Sequence, residues 1–319
     1  MSFASEVREG LGERPRRLPP HWFYDELGSR LFDAICLLPW YRITRVERRL
    51  LVRAARAMSR TASGPGLVAE LGPGNGEKLA LFLGGLAGRG GVDGSRRVLL
   101  VDISPEALSA ATARLAKAGI VEVTALRGPY EKGLARIARE RPPGGSALVL
   151  FLGSNIGNFE PARASRFLKD VRSALKAGDR FLLGADLVKP EKDLLLAYDD
   201  PLGVSAAFNL NVLARMNREL EANFDLATFT HRVVWNAAQR CIEMHLVSRR
   251  AQRVRIRGAR LDLLLRKGES IFTEASYKYE PADLRAQVEA AGFATRRRFL
   301  DRPAAYALTL YEAVEEPER

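Results

Sequence analysis

Leu67-Val68-Ala69-Glu70-Leu71-Gly72-Pro73-Gly74-Asn75-Gly76-Glu77-Lys78 carries an apolar run straight into a glycine-rich turn, and that order decides the fold. A short apolar run bounded by such a turn reads as a buried strand that feeds a helix. Glycines at 72, 74 and 76 remove the Cβ atoms that would keep a ligand off the backbone, and they permit the positive φ of a sharp strand-to-helix turn. The next apolar run, Arg97-Val98-Leu99-Leu100-Val101-Asp102-Ile103-Ser104, reads as a buried parallel strand with an acid at its carboxyl end. In a doubly wound sheet that acid is placed to take both ribose hydroxyls of a nucleoside lying across the strand tips. An Asp at a strand end also serves as a helix cap. Here Ser104-Pro105-Glu106 fills that role better, with Pro105 near the first helical position, which leaves Asp102 for the ribose.

The turn also narrows the cofactor. A dinucleotide fingerprint has Gly or Ala at the sixth position of G-x-G-x-x-G, and this chain has Glu77 there. The acidic form E-x-G-x-G-x-G instead suits S-adenosylmethionine (SAM), whose sulfonium and amino groups are positively charged. A glycine turn that binds nothing is the plain alternative, and Asp102 at the tip of the following strand argues against it.

From residue 53 to 188 the pattern alternates: strand 67–71, helix 76–86, strand 97–103, helix 105–117, strand 120–126, helix 130–140, strand 146–152, helix 162–175 and strand 179–187. Clusters such as Gly88-Arg89-Gly90-Gly91 and Pro142-Pro143-Gly144-Gly145 punctuate it. This is the α/β signature of an open parallel sheet. After Lys189-Pro190 the rhythm changes to a helical stretch over 190–222 and then to alternating runs at Thr228–Trp235, Cys241–Ser248, Arg253–Arg257 and Leu261–Leu265. Near 280 the first rhythm resumes with helix 281–291 and strands 294–300 and 305–313. The expected architecture is a Rossmann-like α/β sheet, residues 53–188 and 279–319, with a second, α+β lobe formed by 8–52 and 189–278.

At 319 residues the chain has ample length for such a core. No window approaches the roughly 18 apolar residues of a membrane span, and the N-terminus lacks the apolar core of a signal peptide, so the expected place is the cytoplasm with no membrane partner. Cys36 and Cys241 lie in apolar patterns and read as reduced core residues. His21, His231 and His245 are scattered without metal-ligand spacing, so no metal is expected. The net charge of +12 raises the question of nucleic acid. The basic residues are mostly arginines spread over helical faces, such as Arg136, Arg139, Arg163 and Arg166, and no aromatic residues interleave them as a stacking platform would require. A solvated surface with no nucleic-acid partner is the reading.

Further segments run nearly end to end: Phe23-Tyr24-Asp25-Glu26-Leu27-Gly28-Ser29-Arg30-Leu31-Phe32, Leu38-Pro39-Trp40-Tyr41, Phe151-Leu152-Gly153-Ser154-Asn155-Ile156-Gly157-Asn158, Ala197-Tyr198-Asp199-Asp200, Ile242-Glu243-Met244 and Thr273-Glu274-Ala275-Ser276-Tyr277-Lys278. With them the chain resembles the ergothioneine-pathway histidine Nα-methyltransferases, a SAM-dependent family that converts histidine to its trimethyl betaine. The resemblance implies that the α+β lobe binds the amino acid. It also implies that Gly72, Gly74, Lys78, Asp102 and Tyr130 serve the cofactor, and that Gly153, Asn158 and Tyr198 serve the substrate, the last two holding its carboxylate. By the same resemblance Tyr24 lies near the reacting amine and Tyr41 lines the pocket. Glu274 and Ser276 grip the imidazole beside an apolar wall at Met244.

One of these assignments has independent support from spacing. In an extended segment residues 274 and 276 point to the same side, and an acceptor beside a hydroxyl is what an imidazole with one N–H and one bare nitrogen requires. The family commonly has Gly-Asp-Phe-Glu after the third strand, with the Asp accepting from the adenine amino group; this chain has Gly128-Pro129-Tyr130-Glu131, so adenine is expected to stack on Tyr130 and to use backbone groups.

The expected chemistry is methyl transfer from SAM to the α-nitrogen of histidine by a monomer, with Tyr24 positioning the amine, since an unperturbed phenol ionises only near a pH of about 10. Two rivals are weighed. One is a methyltransferase of the same fold acting on another amino acid or amino-acid-derived amine, which has no use for the Glu274 and Ser276 pair. The other is a noncatalytic SAM-sensing or RNA-associated protein, favoured only by the charge.

Overall fold

The structure, a computed structural model, describes residues 2–59, 65–87, 97–120, 122–141 and 145–315. The turns expected at Gly88–Gly91 and Pro142–Gly144 lie outside these residues. The chain begins with α1 (Phe3–Gly12), the short strand β1 (Arg16–Arg17) and α2 (Glu26–Leu37). Next come α3 (Ile43–Met58), β2 (Leu67–Leu71), α4 (Glu77–Ala87), β3 (Arg97–Asp102), α5 (Pro105–Lys117), β4 (Val123–Arg127), α6 (Tyr130–Glu140), β5 (Ala147–Phe151), α7 (Pro161–Ala174) and β6 (Arg180–Asp186). Helices α8 (Glu191–Tyr198) and α9 (Val204–Glu219) precede β7 (Phe229–Asn236), β8 (Cys241–Ser248), β9 (Gln252–Ile256), β10 (Leu261–Leu265) and β11 (Ser270–Tyr277). Then follow α10 (Pro281–Glu289), β12 (Phe293–Asp301) and β13 (Tyr306–Ala313).

These elements form two compact units, Ile43–Val188 with Lys278–Arg319, and Met1–Arg42 with Lys189–Tyr277. The first holds a seven-stranded sheet in the order β12-β13-β6-β5-β2-β3-β4. Every residue of β2 and β5 is buried, the condition that turns a parallel strand into an uninterrupted apolar run. β2 pairs in parallel with β3 on one side and β5 on the other, with Glu70 level with Leu100 and Leu150. The strand order therefore reverses between β2 and β5, and ligands of such sheets lie at the carboxyl ends beside that point. β13 closes the sheet antiparallel to both β6 and β12.

This unit begins ten residues earlier than the boundary expected at 53, since 53 falls inside α3. Ile43, Val46, Leu50, Leu51, Ala54, Ala55 and Met58 recur at helical spacing and are all buried, and α3 packs on α4 and β13. One continuous buried stripe carries the whole helix with a single core.

The second unit contains a four-stranded sheet in the order β1-β11-β8-β7 and a separate hairpin of β9 and β10. The helical stretch expected over 190–222 is two helices, α8 and α9. Asp200 breaks it. Its carboxylate accepts the amides of Leu202 at 3.0 Å, Val204 at 3.2 Å and Ser205 at 2.7 Å, which satisfies the free amino end of α9, and Pro201 cannot donate to continue α8. β11 was legible only as an extended segment. It pairs with both β1 and β8, and its pairing with β8 shifts by one residue between Phe272 and Glu274. Cys241 is buried as expected, whereas Cys36 on α2 is only half-buried.

Candidate active site

In the first unit the expected cofactor residues gather at the carboxyl ends of β2, β3 and β5. Gly72 has φ 74°, and a Cβ on it would meet Asn155 Nδ2 at 2.9 Å and the Tyr130 hydroxyl at 3.2 Å, so only glycine fits. A Cβ at Gly74 would meet nothing within 4 Å, so the backbone there faces open space. Asp102 accepts the Ser104 amide at 3.0 Å, while the Ser104 hydroxyl caps α5 by accepting from Ala107 at 3.1 Å. Burial raises the Asp102 pKa, and the amides of Ser104, Gly74 and Ile103 oppose that rise. The Tyr130 ring stands edge-on to Phe151, Phe159 and Phe167, and burial raises the pKa of its phenol.

Glu70, one residue before the end of β2, is fully buried, and neither of its carboxylate oxygens has a hydrogen-bond partner. Burial pushes its pKa up to about 8; nearby Lys78 opposes this, and Glu47 and Asp102 add to it. A buried carboxylate with unused acceptors costs free energy unless a cation arrives. In the strand that feeds the turn carrying the bare backbone of Gly74, it suits a nucleoside that carries positive charge, and SAM fits that description.

Gly153 follows β5 with φ 72°, and a Cβ there would come 3.0 Å from Lys78 Nζ. Its N–H donates to both oxygens of Glu47 at 2.8 Å, and Lys78 Nζ donates to Glu47 at 2.9 Å. Asn158 ends the 3-10 turn Asn155–Asn158. It is not the cap of α7, which begins at Pro161 behind Glu160.

In the second unit the Tyr24 ring is edge-on to Phe32 and Phe208, with centroids 5.6 Å away in each case. Its neighbour Asp25 caps α2 through the Gly28 amide at 2.7 Å and accepts from Asn211 at 2.7 Å and from Arg218 at 2.5 Å. Burial alone would raise the Asp25 pKa, but these donors hold it below the ordinary value. Tyr41 is buried and edge-on to Tyr198. Tyr198, the last residue of α8, places its hydroxyl 2.8 Å from Ser276 Oγ on β11. Glu274 lies directly across from Met244, and Ser276 across from Ile242; opposed residues share a face. Both Glu274 and Ser276 are buried.

Sequence reading passed over several supporting residues. In the sequence His231 stands only as an isolated histidine. In the structure its Nε2 is 3.0 Å from the Tyr198 carbonyl and its Nδ1 is 2.8 Å from Asn209 Nδ2. Asn209 Nδ2 also donates to the His245 carbonyl at 3.2 Å, so it is a donor toward His231 as well. His231 is therefore neutral, with its proton on Nε2 and directed at Tyr198. Burial lowers its pKa, against the raising effects of the Tyr198 carbonyl, Asp199 and Asp200. Glu47, an acid in the middle of a helix, also gave no signal. Among the described residues no group of three or more His, Cys, Asp or Glu is placed to hold a metal ion, and no helix is long and apolar enough to cross a membrane.

The switch-point sheet, the glycine turn and the strand-end acids define a Rossmann-like α/β unit built for a nucleoside-bearing cofactor. Residues 3–313 match the family described as histidine-specific methyltransferase, SAM-dependent. The chain is 42% identical over 311 residues to a histidine N-alpha-methyltransferase of Mycobacterium tuberculosis (strain CDC 1551 / Oshkosh), covering 97% of this chain and 94% of that one. It is 40% identical over 306 residues to the protein of the same name from Mycolicibacterium smegmatis, covering 96% and 93%. A 4-dimethylallyltryptophan N-methyltransferase of Claviceps purpurea is 25% identical over 304 residues, covering 88% and 86%. The chain belongs to the SAM-dependent, histidine-specific methyltransferase family.

Proposed function

We propose that the protein methylates the α-nitrogen of L-histidine with SAM, yielding Nα,Nα,Nα-trimethylhistidine (hercynine) in ergothioneine biosynthesis. The observation that carries this reading is the buried face of β11 and β8, where Glu274, Ser276 and Met244 lie together. A buried acceptor and a hydroxyl beside an apolar wall match an imidazole, which offers one N–H, one bare nitrogen and two flat hydrophobic faces.

SAM supplies an already activated methyl group, so the protein's task is to orient a neutral amine toward it and to exclude water. Orientation of that kind is worth about 7–11 kcal/mol. Gly72, Gly74, Lys78, Asp102 and Tyr130 would hold the cofactor, Asp102 through the ribose hydroxyls. By the family resemblance, Asn158 and Tyr198 would donate to the substrate carboxylate and Gly153 would also serve the substrate. Tyr41 would line the pocket, and Tyr24 would accept from the amine as its proton passes to water before each transfer. The packing of Tyr24 between Phe32 and Phe208 supports a fixed, positioning role. The proposal is completed by a monomer in the cytoplasm with no metal and no dedicated nucleic-acid partner.

The test is incubation with SAM and each free amino acid, read by mass for gains of one, two or three methyl groups. Histidine should be the preferred acceptor. Preference for tryptophan, tyrosine or a derived amine would move the assignment to another N-methyltransferase of the same fold.

A further inference from the structure

Two buried carboxylates and one ammonium lie at the carboxyl edge of the sheet. Glu47, on α3, is fully buried and accepts from Lys78 Nζ at 2.9 Å, the Gly153 amide at 2.8 Å and the Tyr306 hydroxyl from β13. Glu70 is equally buried and accepts from none. Space for Glu47 is reserved by Gly184 on β6, where a Cβ would sit 2.1 Å from Glu47 Oε1 and 2.4 Å from the Tyr306 hydroxyl. A helix acid driven into the sheet, with three donors converging on it, is expensive to build. Its position explains the expense, since Lys78 Nζ donates to Glu47 while the Glu70 oxygens accept no hydrogen bond and are left for something else.

We propose that Glu47 is a positioning residue which holds Lys78 and the Gly153 amide in place and so keeps the Glu70 carboxylate available to the positive charge of SAM. The inference rests on placing the cofactor at the tips of β2, β3 and β5. In Glu47→Gln one acceptor oxygen becomes an NH2 donor facing other donors, and the side chain's negative charge is lost. Lys78 then turns toward Glu70, and the local net charge rises by one. SAM is a net cation, whereas S-adenosylhomocysteine is neutral overall and otherwise shares its groups. The electrostatic role therefore penalises SAM more than S-adenosylhomocysteine, while a merely structural defect weakens both alike.

The experiment is titration calorimetry of SAM and S-adenosylhomocysteine against the wild type, Glu47→Gln and Tyr306→Phe, with melting temperatures recorded for each. Glu47→Gln should lose about 10–100-fold in SAM affinity, and the ratio of SAM to S-adenosylhomocysteine affinity should fall by about fivefold, on the scale of a lost charge-assisted contact. Tyr306→Phe removes a donor from the same carboxylate but leaves its charge and its hold on Lys78; it should lower stability without moving the ratio. The double variant Glu47→Leu with Tyr306→Phe, which leaves no orphaned hydroxyl in the core, should move the ratio as Glu47→Gln does. Equal loss of both ligands, or full retention of SAM affinity, in the Glu47 variants overturns the inference. Absence of binding by either ligand to the wild type would instead overturn the cofactor placement on which it rests.

Discussion

The hydroxyl of Tyr198, at the end of α8, lies 2.8 Å from the hydroxyl of Ser276 on β11, so two residues from distant parts of the sequence share one hydrogen bond. Because the two side chains touch, their effects on substrate recognition should be coupled. In a double-mutant cycle of Tyr198→Phe and Ser276→Ala, the coupling energy for histidine kcat/KM should be about 0.5–3 kcal/mol. Additive losses measured in steady-state kinetics would show that the two hydroxyls act separately.

Glu274→Ala should remove a buried acceptor from the face of β11 proposed to hold the imidazole while leaving the seven-stranded sheet untouched. Loss of one such contact costs about 1.5–3 kcal/mol, or roughly 10–150-fold in histidine kcat/KM. SAM affinity by calorimetry should stay within about twofold of wild type, since Glu274 belongs to the other unit. Normal histidine kinetics in this variant would remove Glu274 from the imidazole site.

Glu70 should trade stability for cofactor binding. Its folded-state pKa, about 8, lies above the ordinary 4.5, so the folded protein holds this proton where the unfolded chain has lost it. The stability it contributes is full below pH 4.5 and disappears as the pH rises through about 8. Glu70→Gln should therefore raise the melting temperature of the ligand-free protein at pH 8.5, by on the order of 1 kcal/mol or about 2–4 °C. The same variant should bind SAM at least about tenfold more weakly, the scale of one charge-assisted contact. A lower melting temperature together with unaltered SAM affinity would contradict both halves.

His231 should make the second unit sensitive to acid. Its folded-state pKa lies below the ordinary 6.5, so the stability it contributes is present above that pH and is lost as the pH falls through the folded value. Protonation also puts a second N–H on Nδ1, facing the Asn209 donor 2.8 Å away. The melting temperature should drop between pH 7.5 and 5.5, and His231→Asn should flatten that drop. Some slope should remain from His245, whose pKa burial also lowers, against the pull of Glu243. An identical profile in the variant would show that His231 does not titrate in this window.

The sheet was legible because burial on both faces leaves no polar alternation to misread: the runs at Leu67–Leu71 and Ala147–Phe151 are apolar apart from Glu70. Glu70 was legible through the turn it precedes, as the acid of E-x-G-x-G-x-G. Glu47 was not, because an acid among the arginines of α3 reads as solvated until its partners Lys78, Gly153 and Tyr306 are known, and these come from three other parts of the chain. His231 was hidden for the same reason: its partners Tyr198 and Asn209 lie on two helices whose separation depends on how Asp200 caps α9. Periodicity reports which side of an element is buried and is silent on which distant groups meet there.

Thr273 is the extra residue of the β11 bulge. Phe272 faces His245 and Glu274 faces Met244 on the neighbouring strand, and the Thr273 hydroxyl donates to the Met244 carbonyl at 2.9 Å. Side chains alternate sides along a strand, so one additional residue paired regularly would exchange inside for outside in everything that follows it, and the bulge absorbs that exchange. Sidedness in β11 thus behaves like a reading frame, and Thr273 is its frameshift: Ile271 and Thr273 are buried in one phase, Glu274 and Ser276 in the other. A strand that kept Thr273 but paired it regularly, opposite Met244, would keep every residue assigned to the imidazole and turn Glu274 and Ser276 to the opposite face. The result would be an enzyme with its recognition groups intact in composition and reversed in direction.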